Sequence, residues 1–374
     1  MAENTGRGPS PVFFADMRAG HGKSLLDKVE ALFEKAGLQQ AIEPGDLVAV
    51  KLHFGEAGNT GYIRPQFLRR VVNLVKKAGG LPFLTDANTL YFGTRSNAVD
   101  HLQTAILNGF DFAVVDAPVI IADGLTGKDF ISVEVNRKNF KEVKIASAVY
   151  HADALIAVTH FKGHEMTGFG GVLKNLGMGC GSRSGKQMMH SDVLPSVNPA
   201  KCRGCDKCSR WCPAGAIGVR DKVSVVDTGK CIGCGECTVT CPYHAIGINW
   251  KTEPDIIQEK IVEYAQGVLD NKKGKYGFIT FATNISPDCD CYGWSDAPLV
   301  RDIGIFASRD PVAIDQACID LINREKPLPN NRLEGRGNVQ DKFRALYPEI
   351  DWSRQLSYAE EIGLGTRKYE LIKI

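Results

Sequence analysis

The chain has almost no net charge: 45 Lys plus Arg stand against 43 Asp plus Glu, a formal balance of +2. That leaves no electrostatic footprint for nucleic acid or for an anionic membrane surface, and neither is expected as a partner. Long hydrophobic runs are also missing. The longest apolar stretches, such as Leu47–Val50 and Leu155–Val158, are strand-sized, far below the roughly 18 residues of a membrane-spanning helix. Residues 1–11 are polar and rich in Gly and Pro, without the apolar segment of a secretory signal, so a cytoplasmic location is expected. Hydrophobic residues at 44% and charged residues at 24% exclude wholesale disorder and a fibrous repeat. With 374 residues and about 150 per unit, two or three globular units are expected.

What is abundant is cysteine. There are twelve, and eight fall between Cys202 and Cys241. A secreted disulfide framework spreads its pairs through a small chain, so this dense cluster in a large one favours metal ligation. Cys202-x2-Cys205-x2-Cys208-x3-Cys212-Pro213 is followed by Cys231-x2-Cys234-x2-Cys237-x3-Cys241-Pro242. Lys201–Gly218 and Lys230–Gly247 align without gaps and agree at ten of eighteen positions. This block resembles the bacterial two-cluster ferredoxins. In that pattern three closely spaced thiolates wrap a cubane and the fourth of each run reaches the other cluster. One 4Fe-4S cluster is then expected on Cys202, Cys205, Cys208 and Cys241, the other on Cys231, Cys234, Cys237 and Cys212. Zinc sites with four cysteines also use Cys-x2-Cys. The third and fourth cysteines of each run, the prolines and the gapless duplication favour iron–sulfur clusters. The resemblance implies electron transfer in an oxygen-limited cytoplasm.

Around this block the sequence alternates strand and helix patterns. Val12–Phe14, Leu47–Lys51, Leu81–Thr85, Phe112–Val115 and Leu155–Thr159 read as strands, while Leu25–Ala36, Pro65–Lys77 and Ala98–Asn108 carry helical spacing. After Trp250 a helix at Ile256–Leu269, strands at Tyr276–Ala282 and Ile303–Ala307, and a helix from Asp310 to Asn323 follow. Asp310 and Pro311 suit the N-cap and first helical position. The expected fold is α/β: a mostly parallel sheet with helices on both faces, plus a small inserted α+β ferredoxin-like domain. The boundaries read as 1–195 and 251–374 for the α/β domain and 196–250 for the insert; a continuous two-domain arrangement is the alternative.

Four polar loops each follow an expected strand: Lys51–Arg64, Thr85–Arg95, Thr159–Glu165 and Ala282–Asp296. In open parallel sheets such loops converge at the carboxyl edge, where ligands bind. They carry His53, Glu56 and Arg64; Asp86, Asn88 and Arg95; His160, Lys162, His164 and Glu165; Cys289 and Cys291. Directly after the third loop, six glycines fall between 168 and 181, which implies close backbone approach to a ligand or an anion nest around Gly170 and Gly171. Neither a dinucleotide fingerprint nor a Walker A loop is present: Leu173 replaces the third glycine of the former, and Gln187 follows Lys186 where the latter needs Ser or Thr. Cys289-Asp290-Cys291 follows Pro287, which argues for a turn in which both thiols converge, as metal ligands, a redox pair or packing groups. Cys318 reads as a core residue.

KLHFGE (51–56), TDANTLYFGTRSNAVDHL (85–102), VIIADGL (119–125), THFKGHEMTGFGGVLKNLGMG (159–179), NISPDCDC (284–291) and DIGIFASRDPVAIDQA (302–317) resemble the domain-of-unknown-function 362 family, in its version carrying a ferredoxin insert. That resemblance covers nearly the whole chain and implies architecture more than chemistry. His164-x9-Lys174-x15-His190 is similar to the lactate racemase type of nickel-pincer enzyme, which implies that these three residues face a common ligand or metal.

These readings lead to an iron–sulfur oxidoreductase. The ferredoxin-like module exchanges single electrons, and the α/β pocket holds the acceptor, a substrate or a further metal or organic cofactor near Cys289 and Cys291. His160, His164 or Glu165 would donate protons, and Lys174, Arg183 and Lys186 would hold an anionic group. The partner is a redox protein or a small-molecule acceptor. Alternatives are an electron carrier or accessory protein without its own catalysis, and a nickel-dependent isomerase or cofactor-maturation protein.

Overall fold

The computed structural model describes residues 8–91, 93–190, 195–231, 235–247, 253–336 and 339–374. An eight-stranded sheet runs through it in the order Tyr369–Lys373, Ser10–Asp16, Gly304–Ser308, Tyr276–Ala282, Ala154–His160, Leu47–Lys51, Leu81–Asp86, Val119–Ile121. Gly304–Ser308 is antiparallel to both neighbours; every other pairing in the sheet is parallel. The sheet therefore draws strands from both sides of the cysteine-rich stretch.

Alternation along the strands builds two cores. Val48, Val50, Ile156, Val158 and Ile279 point to one face, against Leu32, Phe33, Leu68, Val71 and Val72 of helices Leu25–Lys35 and Pro65–Lys77. Ala49, Leu155, Ala157 and Phe278 point to the other, against Leu173, Leu176, Ile261 and Ala317 of helices Val172–Cys180, Pro254–Lys272 and Pro311–Arg324. Cys318 is fully buried in that second core, as its place on an apolar helix face implies. Asp310 caps its helix by accepting from the Val312 and Ala313 N–H groups, both at 2.9 Å, with Pro311 next in line.

One expected strand is a helix. Phe112–Val115 forms a single turn capped by Asp111, whose carboxylate accepts from the Ala113 and Val114 N–H groups, and the strand comes later, at Val119–Ile121. The cap outweighs the β-preference of so short an apolar run.

Within 195–247, Ser196–Val197 pairs with Ile246–Gly247 and Ile217–Arg220 pairs with Val223–Val226, both antiparallel. Short helices Lys207–Arg210 and Glu236–Thr240 cross them. The internal duplication is visible in the backbone: Asp206 and Gly235 are both left-handed, as are Gly215 and His244, at the same offset as the sequence repeat. Cys208, Cys237, Ile217 and Ile246 are buried together at its centre.

Candidate functional site

The four loops expected to converge do so because their strands are neighbours: Tyr276–Ala282, Ala154–His160, Leu47–Lys51 and Leu81–Asp86 lie side by side and point the same way. At their carboxyl ends lies a cavity of about 620 Å³, the size of a small-ligand pocket. His53, Asp86, Arg95, His160, His164, Glu165, Gly170, Gly171, Lys174, Lys186, His190 and Cys291 all line it. Cys289 stands directly behind Cys291. Cys289, Glu56, Arg64, Asn88 and Arg183, also expected there, do not line it. Arg64 is exposed at the start of helix Pro65–Lys77, Asn88 is buried against Asp123 and the Gly124 carbonyl, and Arg183 is buried with its backbone N–H on Asp123.

One wall is a buried ion network. Lys51 Nζ lies 3.0 Å from Asp86 and donates to Asn175 at 2.7 Å; Arg95 reaches Asp86 at 3.2 Å and Glu56 at 3.3 Å. Tyr91 and Thr94 donate to the same Glu56 carboxylate. Burial pushes the Asp86 carboxyl up, but Lys51, His53 and Arg95 outweigh it and hold the group well below the usual carboxylate range. Arg95 is thus spent on the network rather than left for a ligand. Lys51, Tyr91 and Asn175 were not singled out by sequence reasoning; a lysine at the last position of a buried strand is the signal that points to one of them.

Asp290 is a second hub. It is fully buried and accepts from His160 Nδ1 at 2.9 Å, with Lys162 Nζ at 3.1 Å. His160 Nε2 sits 2.9 Å from the Thr283 carbonyl, which can only accept. Both ring nitrogens therefore face acceptors, and His160 ties Asp290 to the turn around it.

His53 and His164 share a local arrangement. The backbone N–H two residues on, of Gly55 at 3.0 Å and of Met166 at 3.1 Å, donates to Nδ1 of each ring. Burial, and then the cations Arg95 and Lys174 respectively, push both imidazoles down. A neutral ring accepting at Nδ1 carries its proton on Nε2. Each therefore offers an N–H donor rather than a base. His190 is pushed down to about 3 by burial and by His164 and Lys174. His164, Lys174 and His190 all line the one cavity.

Asp290 and Cys291 occupy the corners of a turn closed by the Tyr292 N–H on the Cys289 carbonyl at 3.1 Å. The turn brings Cys289 Sγ to 2.9 Å from Cys291 Sγ, with His53 Nε2 3.4 Å from Cys291 Sγ and Lys174 Nζ 3.8 Å from Cys289 Sγ. The hydrogen bond from Cys289, working against burial and joined by His53 and Lys174, holds the Cys291 thiol well below its usual value; the same bond and burial push Cys289 up. His53, Cys289 and Cys291 each place a donor atom within 4.8 Å of the others, a grouping that could hold a metal ion.

The glycines after Thr167 serve packing as much as the cavity. A Cβ on Gly171 would meet the Asp315 carboxylate at 2.3 Å, and one on Gly177 would meet the Ile261 carbonyl oxygen at 2.0 Å. Asp315 accepts from the Val172 and Leu173 N–H groups at 2.8 and 3.1 Å and so occupies the N-terminus of helix Val172–Cys180 that an anionic ligand would otherwise use.

In helix Arg183–His190, residues one turn apart share a face. Lys186 and His190 line the cavity, while Gln187 packs on Gly235, where a Cβ would meet its Cγ at 2.2 Å. Lys144 to Glu236 at 3.0 Å and Lys128 to Thr240 at 2.6 Å fasten the same cysteine run to the α/β body. Cys212, Cys231 and Cys237 line one small cavity, whereas Cys208 feels the charge of Cys241. Cys202, Cys212 and Cys241 accept backbone N–H groups from Ser224, Ala216 and Ala245 at 3.2–3.3 Å. Cys205 is exposed, and Cys234 lies outside the described residues. No helix of the described residues is long and apolar enough to cross a membrane.

Comparison with known proteins gives relatives but no established reaction. The chain is 27% identical over 180 residues to the Thylakoid-associated protein sll1697 of Synechocystis sp. (strain ATCC 27184 / PCC 6803 / Kazusa), over 47% of this chain and 52% of the relative, so it spans about half the length of that protein. Among solved structures, the lactate racemase apoprotein from Thermoanaerobacterium thermosaccharolyticum aligns with a TM-score of 0.38 at 13% identity, over 75% of this chain and 52% of that one. A protein from Thermotoga maritima aligns with a TM-score of 0.35 at 13% identity, over 71% of this chain and 52% of that one. Residues 48–320, which hold every strand that borders the cavity, match the family described as "Domain of unknown function (DUF362)", and the chain belongs to that family.

Proposed function

We propose that the protein is an iron–sulfur oxidoreductase in which a two-cluster module, residues 196–250 inserted into the α/β domain, passes electrons to an acceptor in the cavity. One observation carries this reading. Helix Arg183–His190 lines the cavity with Lys186 and His190 and packs Gln187 against Gly235 of the second cysteine run, so one short helix touches both the pocket and the stretch that would hold a cluster.

The donor set fits two cubanes. The sharing of one small cavity by Cys212, Cys231 and Cys237, and the proximity of Cys241 to Cys208, follow the crossed pattern. Backbone N–H groups already aimed at sulfur are what a cluster's thiolates require. When bound, the clusters supply single electrons. The chain's own residues do the rest: His164 orients a ligand through its Nε2–H group, His53 turns its own toward Cys291, Lys174 and Lys186 attract negative charge, and the network around Asp86 holds the wall rigid. A redox partner would dock near exposed Cys205. A pure carrier has no use for a cavity of this size lined by so many ionisable groups. A second reading, a nickel-dependent isomerase, is supported by His164, Lys174 and His190 lining one cavity.

Anaerobic purification with metal and sulfide counting, plus EPR after reduction, tests this. About eight irons and eight sulfides per chain, with the signals of reduced 4Fe-4S clusters, are expected. About two zincs without iron would overturn the cluster assignment, and stoichiometric nickel would favour the isomerase.

A further inference from the structure

We infer that Cys289 and Cys291 form a redox-active dithiol facing the cavity, with Cys291 as the attacking sulfur, Cys289 as the resolving one, and a small organic disulfide as the class of molecule it reduces. This deepens the oxidoreductase reading and rests on it for the source of electrons.

The geometry carries the inference. The Cys289–Tyr292 turn holds the two sulfurs in contact, at 2.9 Å, so closing a bond between them needs little backbone movement. Cys291 lines the cavity, whereas Cys289 is only 2% exposed, which separates the sulfur that meets an incoming molecule from the one that resolves it. His53 decides between this role and metal binding. Its Nδ1 accepts the Gly55 N–H, so Nε2 presents a proton, not a lone pair, to Cys291 Sγ at 3.4 Å. Ligating a metal through Nε2 would require that backbone bond to break and the proton to move. Lys174 Nζ, 3.8 Å from Cys289 Sγ, is the adjacent proton source.

The step balances as follows. Cys291 sulfur attacks one sulfur of R–S–S–R, forming Cys291–S–S–R and expelling RS⁻. Cys289 sulfur then attacks Cys291 sulfur and gives its proton to one departing thiolate, leaving an intramolecular disulfide and two equivalents of thiol or thiolate. When bound, the clusters would supply the two electrons that reopen the Sγ–Sγ bond. Cys289 takes one proton from Lys174, and Cys291 keeps its negative charge beside the His53 N–H.

The test uses the intact, cluster-loaded protein under anaerobic conditions, with bis(2-hydroxyethyl) disulfide as the probe and peptide mass as the readout. The wild type is expected to lose two hydrogens in the peptide holding Cys289 and Cys291, and to regain them when the clusters are reduced. Cys289→Ser should stop at a stable mixed disulfide on Cys291. His53→Phe should slow that adduct about tenfold, with His53→Gln, which keeps an N–H donor, restoring most of the rate. Two thiols that stay unmodified under excess probe would overturn the inference. So would one non-cluster metal per chain that is lost in Cys291→Ser while the irons remain. Loss of iron in the starting protein would instead strike the cluster reading, because the mass change at Cys289 and Cys291 is read separately.

Discussion

Asp86 shows how much of the cavity depends on a single carboxylate. It answers both Lys51 and Arg95 in a place almost closed to water, so Asp86→Asn leaves two buried cations undercompensated. Breaking a buried pair in this way costs about 3–5 kcal/mol. A thermal unfolding midpoint well below that of the wild type is the expected result. Because the Asp86 pKa is lowered on folding, its contribution is present above the ordinary carboxylate range and is lost as pH falls through it; acid should therefore narrow the gap between variant and wild type. At this scale the sequence was informative about residue type and position: most of the expected pocket residues line the cavity. It was silent about pairing. Arg95 and His160 read as ligand-facing groups, but Glu56 and Asp290, which bind them, come from loops remote in the chain, and only folding brings them together.

Helix Val172–Cys180 joins the glycine-rich stretch to the cavity, and its N-terminus meets Asp315 from helix Pro311–Arg324. Burial pushes the Asp315 carboxyl up to about 7 from 3.8, against the two N–H bonds that favour its charge. A raised acid pKa gives stability that is complete below pH about 4 and lost as pH rises through 7, a loss of up to about 4 kcal/mol. Wild-type protein should thus fall in thermal midpoint between pH 4.5 and 8 relative to Asp315→Asn, with the difference level above 8. An absence of any pH-dependent difference would show that Asp315 does not titrate there. Strong local signals made most elements legible: the Asp310–Pro311 start, the helical period of Pro65–Lys77, the apolar run of Leu155–Val158. Phe112–Val115 was misread because four apolar residues satisfy strand and helix equally, and the Asp111 cap decided.

Across the whole molecule, the proposed passage of electrons to the cavity depends on the contact between the cysteine-rich stretch and the α/β body. Among the described residues, Lys144 to Glu236 and Lys128 to Thr240 are polar ties that hold it, beside the close fit of Gly235 on Gln187. Replacing Lys128 and Lys144 together by alanine should speed hydrogen exchange in 235–247 by several-fold while the central sheet keeps its protection, since such partly exposed ties contribute about 1 kcal/mol each. Unchanged exchange there would mean that the apolar fit alone fastens the stretch. What the sequence by itself determined is local: cysteine spacing and its repeat, strand and helix periods, and polar loops at strand ends, because each depends on neighbours a few residues away. The tertiary structure alone decided which groups remain available for chemistry. Sheet order placed four loops side by side, long-range ion pairs consumed Arg95 and His160, and the Cys289–Tyr292 turn set two thiols against His53 and Lys174. Those outcomes depend on burial and on partners that come from other loops of the chain, more than a hundred residues away for His53 and Lys174, which no local pattern encodes.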